Sequence, residues 1–337
     1  MVYLLGIESS CDETAAAVAA FDGERKTVLA DVVASQVDIH KKYGGVVPEI
    51  ASRAHTEALT RITKQALAES GIALSQLTAV AVTNTPGLIG ALLTGVNFAK
   101  SLAFANALPL VPVDHIKAHI AAAYYAFPDL KPPFLALTVS GGHTSLMKVD
   151  SFTDFVTVGC TRDDAAGEAF DKVGRVMGLP YPGGKEMDRL AAIGDPHAFP
   201  FPSAAVAGDN LDFSFSGVKT AVINTLNTMS QKGIPFPTAD IAASFTNTFT
   251  RSIVKKLDMA FDRYPLDTLV VSGGVAANSH LRRAVKELCD RKGIRLCMPP
   301  IALCGDNGAM VCSQGYYEYR TGKRGDTSLN AFANDEF

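Results

Sequence analysis

The sequence predicts an α/β protein built as two related lobes. Three observations carry that expectation. Apolar strand-like runs alternate with amphipathic stretches along the whole chain. Strand-loop units of one type recur at widely separated places, which suggests a duplicated architecture. And 337 residues, 47% hydrophobic and 19% charged, supply two packed cores more readily than one.

Residues 3–7 read as a strand, 8–14 as a polar turn and 15–21 as a second strand. Residues 49–70 form an amphipathic helical pattern that stops at Gly71. Residues 79–83 read as a buried strand, Asn84-Thr85-Pro86-Gly87 as a turn and 88–107 as a small-residue helix. A strand over 110–113 precedes Asp114, which is placed to cap a helix running through Tyr125. Residues 134–139 and 145–149 repeat the opening pattern around Ser140-Gly141-Gly142-His143-Thr144. Helices are expected over 163–177 and 185–193, separated by Pro180-Tyr181-Pro182-Gly183-Gly184 and followed by a Pro-, Ala- and Gly-rich loop over 196–210. Two long helices come next, near 216–229 and 239–264. The strand 268–271 leads into Ser272-Gly273-Gly274, and a last helix runs from 307 to about 320. The crossing between lobes is placed near Val113. That makes 1–113 the first lobe, completed by the terminal helix 307–330, and 114–306 the second.

Net charge is −3 and the isoelectric point is near 6.2. A surface that grips nucleic acid all over is basic, so any RNA contact falls to a local patch or a partner. One cluster qualifies: Arg282, Arg283, Lys286, Arg291, Lys292 and Arg295. It suits an RNA-facing patch and equally a solvated helix face. The six cysteines form no Cys-x-x-Cys pair and read as core residues in a reducing cytosol. The opening segment lacks a basic stretch and turns polar after seven residues, unlike a signal peptide. No apolar run reaches the ~20 residues of a membrane span. A soluble cytoplasmic protein is expected.

Ser140-Gly141-Gly142-His143-Thr144 and Ser272-Gly273-Gly274 each follow an apolar strand. Glycine lets backbone N–H groups approach a phosphate closely, and a following helix adds its positive end. Together with Gly183-Gly184 they point to a nucleotide site. No P-loop and no dinucleotide fingerprint is present, which argues against a P-loop NTPase or a Rossmann dehydrogenase.

His115 and His119 stand four apart on a predicted helix, so both rings face one way. That is metal-ligand spacing, and it also suits two polar residues on an exposed face. A zinc protease needs Glu directly after the first His; Ile116 is there instead, followed by Lys117. Two histidines and one carboxylate suit Fe(II), with Zn(II) as competitor. Asp306 is a candidate for the carboxylate, or else a helix N-cap. Asp12 and Glu13 lie in the first hairpin turn and are candidates for a general base. Asp163, Asp164, Glu168 and Asp171 fall on one predicted helix. They are either a solvated acidic face or acceptors for ribose hydroxyls.

Nine stretches occur in an order that resembles one family: GIESSCDET (6–14), YGGVVPEIASRAH (43–55), HIKAH (115–119), VSGGHT (139–144), DDAAGEAFDK (163–172), YPGG (181–184), LDFSFSGVKT (211–220), SGGVAAN (272–278) and GDNGAM (305–310). The resemblance is to the tRNA N6-adenosine threonylcarbamoyltransferase family of the bacterial TsaD type, once described as glycoproteases, and it covers nearly the whole chain. It implies the actin/sugar-kinase/heat-shock-chaperone fold, with duplicated ribonuclease-H-like domains and a central nucleotide cleft. It implies transfer of a threonylcarbamoyl group from threonylcarbamoyl-adenylate to N6 of adenosine 37 in tRNAs that read codons beginning with adenine, with release of AMP.

The resemblance further implies one divalent metal, iron in the family, at His115, His119 and Asp306. It implies adenylate contacts at Thr138, Val139, Ser140, Gly141, Gly142, Asp171, Gly184, Asp188 and Asn278. ATP, ADP or AMP would fit the same cleft. A paralogous non-catalytic subunit of the TsaB type and a small ATPase of the TsaE type are the implied partners, with no membrane. Two positions depart from the family pattern. Lys117 stands where many members carry an acidic or neutral residue, and Thr85 where glycine is usual. The alternatives are an ATP-dependent kinase or ATPase of the same fold, which leaves the histidine pair without a task, and a non-catalytic subunit of a tRNA-modification complex.

Overall fold

The computed structural model describes residues 1–204, 206 and 208–334. Ala205 and Ala207, within the expected loop 196–210, lie outside the described residues. The chain begins with β1 (Val2–Glu8), β2 (Glu13–Asp22), β3 (Arg25–Ser35), α1 (Val37–His40), α2 (Pro48–Ser70), β4 (Ala79–Thr85), α3 (Ile89–Ala105), β5 (Leu110–Asp114), α4 (His115–Ala121) and α5 (Ala123–Ala126). It continues through β6 (Phe134–Val139), β7 (Thr144–Val149), β8 (Phe155–Cys160), α6 (Ala166–Val176), α7 (Gly183–Ala191), α8 (Ser216–Gln231) and α9 (Thr238–Arg263). The last elements are β9 (Thr268–Ser272), α10 (Ser279–Lys292), β10 (Arg295–Cys297) and α11 (Gly308–Arg320).

Residue contacts divide the chain into two compact units. The first comprises Met1–Pro132, Ser151–Phe155 and Pro299–Phe337; the second comprises Pro133–Asp150 and Val156–Met298. The first sheet runs β3-β2-β1-β4-β5 and the second β10-β9-β6-β7-β8. In both, the first strand of the unit lies at the centre. It pairs antiparallel with the next strand and parallel with the fourth (β1 with β2 and β4; β6 with β7 and β9). The strand-turn-strand pattern that recurs in the sequence at 3–21 and 134–149 is therefore the trace of a whole duplicated sheet, and both glycine loops belong to the second one.

β1 is buried on both faces, which explains its unbroken apolar run. Leu5 and Ile7 meet Leu59 and Ile62 of α2 and Leu92 and Val96 of α3 on one side. Leu4, with Val111 and Val113 of β5, meets Ala118 of α4 and Ala309 and Cys312 of α11 on the other. α2 starts with Pro48 in its first turn and stops at Gly71, which takes φ +67°.

The lobe boundary expected at Val113 needs correcting. Residues 114–132 and 299–306 belong with the first unit, because α4 packs its small residues under α11 and against β5. Asp163 and Asp164 are not helical, since α6 begins at Ala166. Asp163 instead accepts hydrogen bonds from the Phe215 and Ser216 N–H groups and the Ser214 and Ser216 hydroxyls, which anchors the start of α8. Four cysteines are buried as expected, whereas Cys11 and Cys160 are only half-buried. No helix among the described residues is long and apolar enough to cross a membrane.

Candidate functional site

Asp114 ends β5 and caps α4, its Oδ1 accepting the Lys117 N–H at 2.9 Å. The cap sets the start of the helix and so puts His115 and His119 on one face, ring centroids 4.6 Å apart and nearly perpendicular at 77°. Lys117 projects away from them, its ammonium 5.2 Å from the Phe155 ring centroid. Its departure from the family pattern therefore leaves the imidazoles unobstructed.

Asp306 arrives on the turn before α11. Asn307, not Asp306, caps that helix, accepting the Met310 N–H at 2.7 Å. The capping alternative for Asp306 is thereby removed. Asp306 Oδ1 lies 3.1 Å from His119 Nε2 and 3.7 Å from His115 Nε2. The three ligand atoms all fall within 4.8 Å of one another.

Two glycines make this approach possible. A Cβ on Gly6 would lie 2.4 Å from the Gly308 carbonyl oxygen, and a Cβ on Gly308 would lie 2.4 Å from the Ala17 nitrogen. α11 therefore meets β1 and β2 backbone to backbone at the point where Asp306 is delivered. Asp31 on β3 accepts the Gly308 N–H at 3.0 Å and holds the same helix end.

His115 is also held from behind. Its Nδ1 stands 3.1 Å from Oε2 of the fully buried Glu8 and 3.1 Å from the Ser10 hydroxyl. Glu8 is in turn fixed by the Ser10 N–H and the Thr83 hydroxyl, each at 2.6 Å. A carboxylate only accepts, so the Nδ1 proton faces Glu8 and Nε2 is directed to the Asp306 side. Burial by itself pushes the His115 pKa down, but the charges of Glu8 and Asp306 outweigh it and raise the pKa to about 9. Burial likewise pushes Glu8 up, and His115 brings its carboxyl below the ordinary range.

These residues fit a cation. His119 is fully buried and neither ring nitrogen has a hydrogen-bond partner, an arrangement that costs free energy unless something fills it. Bonds from a transition metal to nitrogen and oxygen are about 2.0–2.2 Å long, which matches ligand atoms spaced as these are. Two imidazoles and a carboxylate, with negative charge nearby, form a donor set for a divalent ion.

The turn after β1 carries Asp12, and Glu13 opens β2. His55, from the stretch 43–55, braces this turn: its Nε2 bonds the Cys11 carbonyl at 2.9 Å and its Nδ1 the Thr14 hydroxyl at 2.8 Å. Burial raises the Asp12 pKa, and the Asp306 charge adds to it. For Glu13, burial and the charge of Asp12 push the pKa up to about 8. Glu13 Oε1 accepts the Ser35 hydroxyl, whereas Oε2 is buried without a partner.

In the second unit, β6 and β9 run parallel and end in the two glycine loops. The Thr138 and Ser272 hydroxyls meet at 3.2 Å. Gly273 takes φ +90°, and a Cβ there would lie 2.3 Å from the Val139 carbonyl oxygen. The loop after Val139 is pinned by the Gly167 and Glu168 N–H groups at the start of α6, which donate to the carbonyls of Ser140 and Gly141. Gly141 and Gly142 remain exposed. Asp171 accepts the Gly183 N–H at 2.7 Å and so ties α6 to the turn that carries Gly184. Asp188 accepts from both the N–H and the hydroxyl of Ser279, at 3.0 Å each. Asn278 caps α10, its side chain accepting the Leu281 N–H at 2.9 Å.

The expected site residues thus form a triad and an acidic turn in the first unit, and two apposed glycine loops with nearby acids in the second. Sequence reasoning assigned no role to Glu8, Thr83 or His55. For Glu8 a signal existed, a carboxylate at the end of an otherwise apolar run.

A family model described as tRNA N6-adenosine threonylcarbamoyltransferase (TsaD) matches residues 27–312. A protein of that name from Moorella thermoacetica is 50% identical over 328 residues, covering 97% of this chain and 95% of the relative. Another, from Clostridium botulinum (strain 657 / Type Ba4), is 47% identical over 333 residues, covering 99% and 97%. Among solved structures, the HypF protein of T. kodakarensis matches with TM-score 0.62 at 14% identity, over 94% of this chain and 48% of that one. The ROK hexokinase of Thermus thermophilus matches with TM-score 0.52 at 17% identity, over 95% and 100%. At such low identity these two likenesses speak to the fold alone.

Proposed function

Because this chain belongs to the tRNA N6-adenosine threonylcarbamoyltransferase (TsaD) family, and so is an acyltransferase acting on tRNA with threonylcarbamoyl-adenylate as donor, we propose roles for its individual residues. His115, His119 and Asp306 hold one divalent metal, Fe(II) ahead of Zn(II). A metal there supplies positive charge to an oxygen of the activated substrate. The single observation that supports this reading is the convergence of the three side chains, with a fully buried His119 whose ring nitrogens make no hydrogen bond.

The remaining work belongs to the protein. The donor is a mixed anhydride and already activated, so positioning and charge stabilisation dominate. The exposed backbone at Gly141 and Gly142, on the loop that Thr138, Val139 and Ser140 lead into, receives the phosphate. Asp171, Gly184, Asp188 and Asn278 hold the ribose and adenine. N6 of adenosine 37 attacks the carbamoyl carbon, the new C–N bond forms, and the bond from that carbon to the AMP oxygen breaks. The proton lost from N6 passes to Asp12 or Glu13, directly or through water. Glu13, with its pKa near 8, exchanges a proton close to neutral pH. A TsaB-type subunit, a TsaE-type ATPase and cytoplasmic location follow from the family and are part of this proposal.

The test is reconstitution. The purified protein, reloaded with Fe(II) or Zn(II), is given synthetic adenylate and unmodified tRNA, with family partner proteins added in a second arm. Nucleoside mass spectrometry should find threonylcarbamoyladenosine and an equal amount of AMP. His115→Ala and His119→Ala should each lose bound metal and product together. Stoichiometric metal in both variants would refute the ligand assignment.

A further inference from the structure

We propose that a groove between α9 and α10 in the second unit is a docking track for the phosphate backbone of the tRNA substrate. The proposal rests on the transferase reading, since it concerns where that enzyme grips its RNA. The groove has a volume of about 1120 Å³, far more than one phosphate needs. Arg251 and Lys255 line one wall, one turn apart on α9. Arg283 and Arg291 line the other, two turns apart on α10.

All four cations are exposed, and among the described residues none of them pairs with a carboxylate. That sets them apart from the lysines and arginines that do, such as Lys286 with Asp290 and Arg189 with Glu186. Asp258 also lines the groove, but Lys292 already holds it at 2.8 Å. Glu287 is the opposing charge left. His280 completes the lining: its Nδ1 accepts an Arg283 N–H at 3.1 Å, which leaves the proton on Nε2, a buried atom without a partner.

The chain as a whole is acidic, at −3, so a track of free cations is a local exception, and polyanions select for one. The groove also borders the proposed adenylate residues. Ser279 on its rim bonds Asp188 and directly follows Asn278. RNA laid along α9 and α10 would end beside the donor. Sequence alone drew attention to the arginines of α10. Only the fold shows that α9 supplies the facing row.

The test measures binding of unmodified tRNA to the full-length protein by fluorescence anisotropy from about 50 to 200 mM salt. The double variant Arg251→Glu/Arg283→Glu should weaken binding by more than tenfold. It should also flatten the log–log salt dependence by roughly two charges and raise KM for tRNA. Glu287→Gln should tighten binding several-fold, a gain that damage to the fold would not produce. Unchanged affinity and slope in the double variant, with wild-type protein still modifying tRNA, would overturn the track and leave the transferase reading intact. Wild-type protein that neither binds nor modifies tRNA would overturn both. Normal tRNA binding with lost capture of a protein partner would make the groove a protein interface and overturn the proposal.

Discussion

Glu8 and His115 are bonded to each other at 3.1 Å, deep in the first unit, with Oε2 facing Nδ1. The carboxylate is fully buried and His115 nearly so. Such a pair decides which imidazole nitrogen carries the proton, and so which one offers a lone pair. His119 has no comparable support. One histidine is oriented in advance by the protein, and the other has no such hydrogen bond to orient it.

Glu8→Gln keeps the shape of the side chain but removes the charge. It should lower metal affinity roughly 10–100-fold, measured by competition with a chelator, while circular dichroism stays unchanged. Wild-type affinity in this variant would deny Glu8 its orienting role.

Metal removal should destabilise the wild-type protein by mass action. At metal one hundred times above Kd the stabilisation is about 2.7 kcal/mol. Stripping the metal should lower Tm accordingly, and His119→Ala should show no response to metal or chelator. An equal metal response in the variant would place the ion elsewhere.

Gly308→Ala puts a methyl group 2.4 Å from the Ala17 nitrogen, where neither backbone can yield. The cost should be about 1–3 kcal/mol, seen in urea unfolding. Asp306 moves with α11, so metal content should fall as well. A variant with normal stability and normal metal would show that the close approach is dispensable.

Glu13 gives a pH signature. Its folded pKa near 8 exceeds the ordinary 4.5, so the native state holds a proton that the unfolded chain releases. Stability therefore falls as pH rises from about 4.5 to about 8, and is flat on either side as far as this group is concerned. In metal-free protein, Glu13→Gln should be the more stable of the two above pH 8, by an amount on the order of a few kcal/mol. The difference should shrink below pH 5. A constant difference across that range would mean that Glu13 does not titrate there.

Gly273→Ala forces a side chain into φ +90° and against the Val139 carbonyl. The two glycine loops would part, and KM for the adenylate should rise by at least tenfold with metal content unaffected. Unchanged KM would detach these loops from substrate binding.

Much of the architecture could be read from local chemistry. The Asp114 cap, the Gly71 stop, the apolar strands and the four-residue histidine spacing each act within one turn or one strand, so sequence suffices for them. β3 escaped because it is an edge strand, half-exposed and interrupted by Asp31, and shows no continuous apolar signal. Asp163 and Asp164 looked helical because their partners, Lys219 and the start of α8, come some fifty residues later. Glu8 passed for a turn residue because the imidazole that explains it is 107 positions away. The lobe boundary failed for a similar reason. Nothing within 114–132 announces that α11, from the far end of the chain, will cover it.

The last of these has a bearing on how the protein is made. β1 through α5 leave the ribosome before the second unit, but Asp306 and α11 follow only after that unit has been synthesised. Until then the nascent chain presents its two imidazoles without their carboxylate, and one face of its first sheet without its cover. On the proposed ligand set, metal capture would be a late step of biogenesis, and a product truncated before Asp306 would bind no metal there.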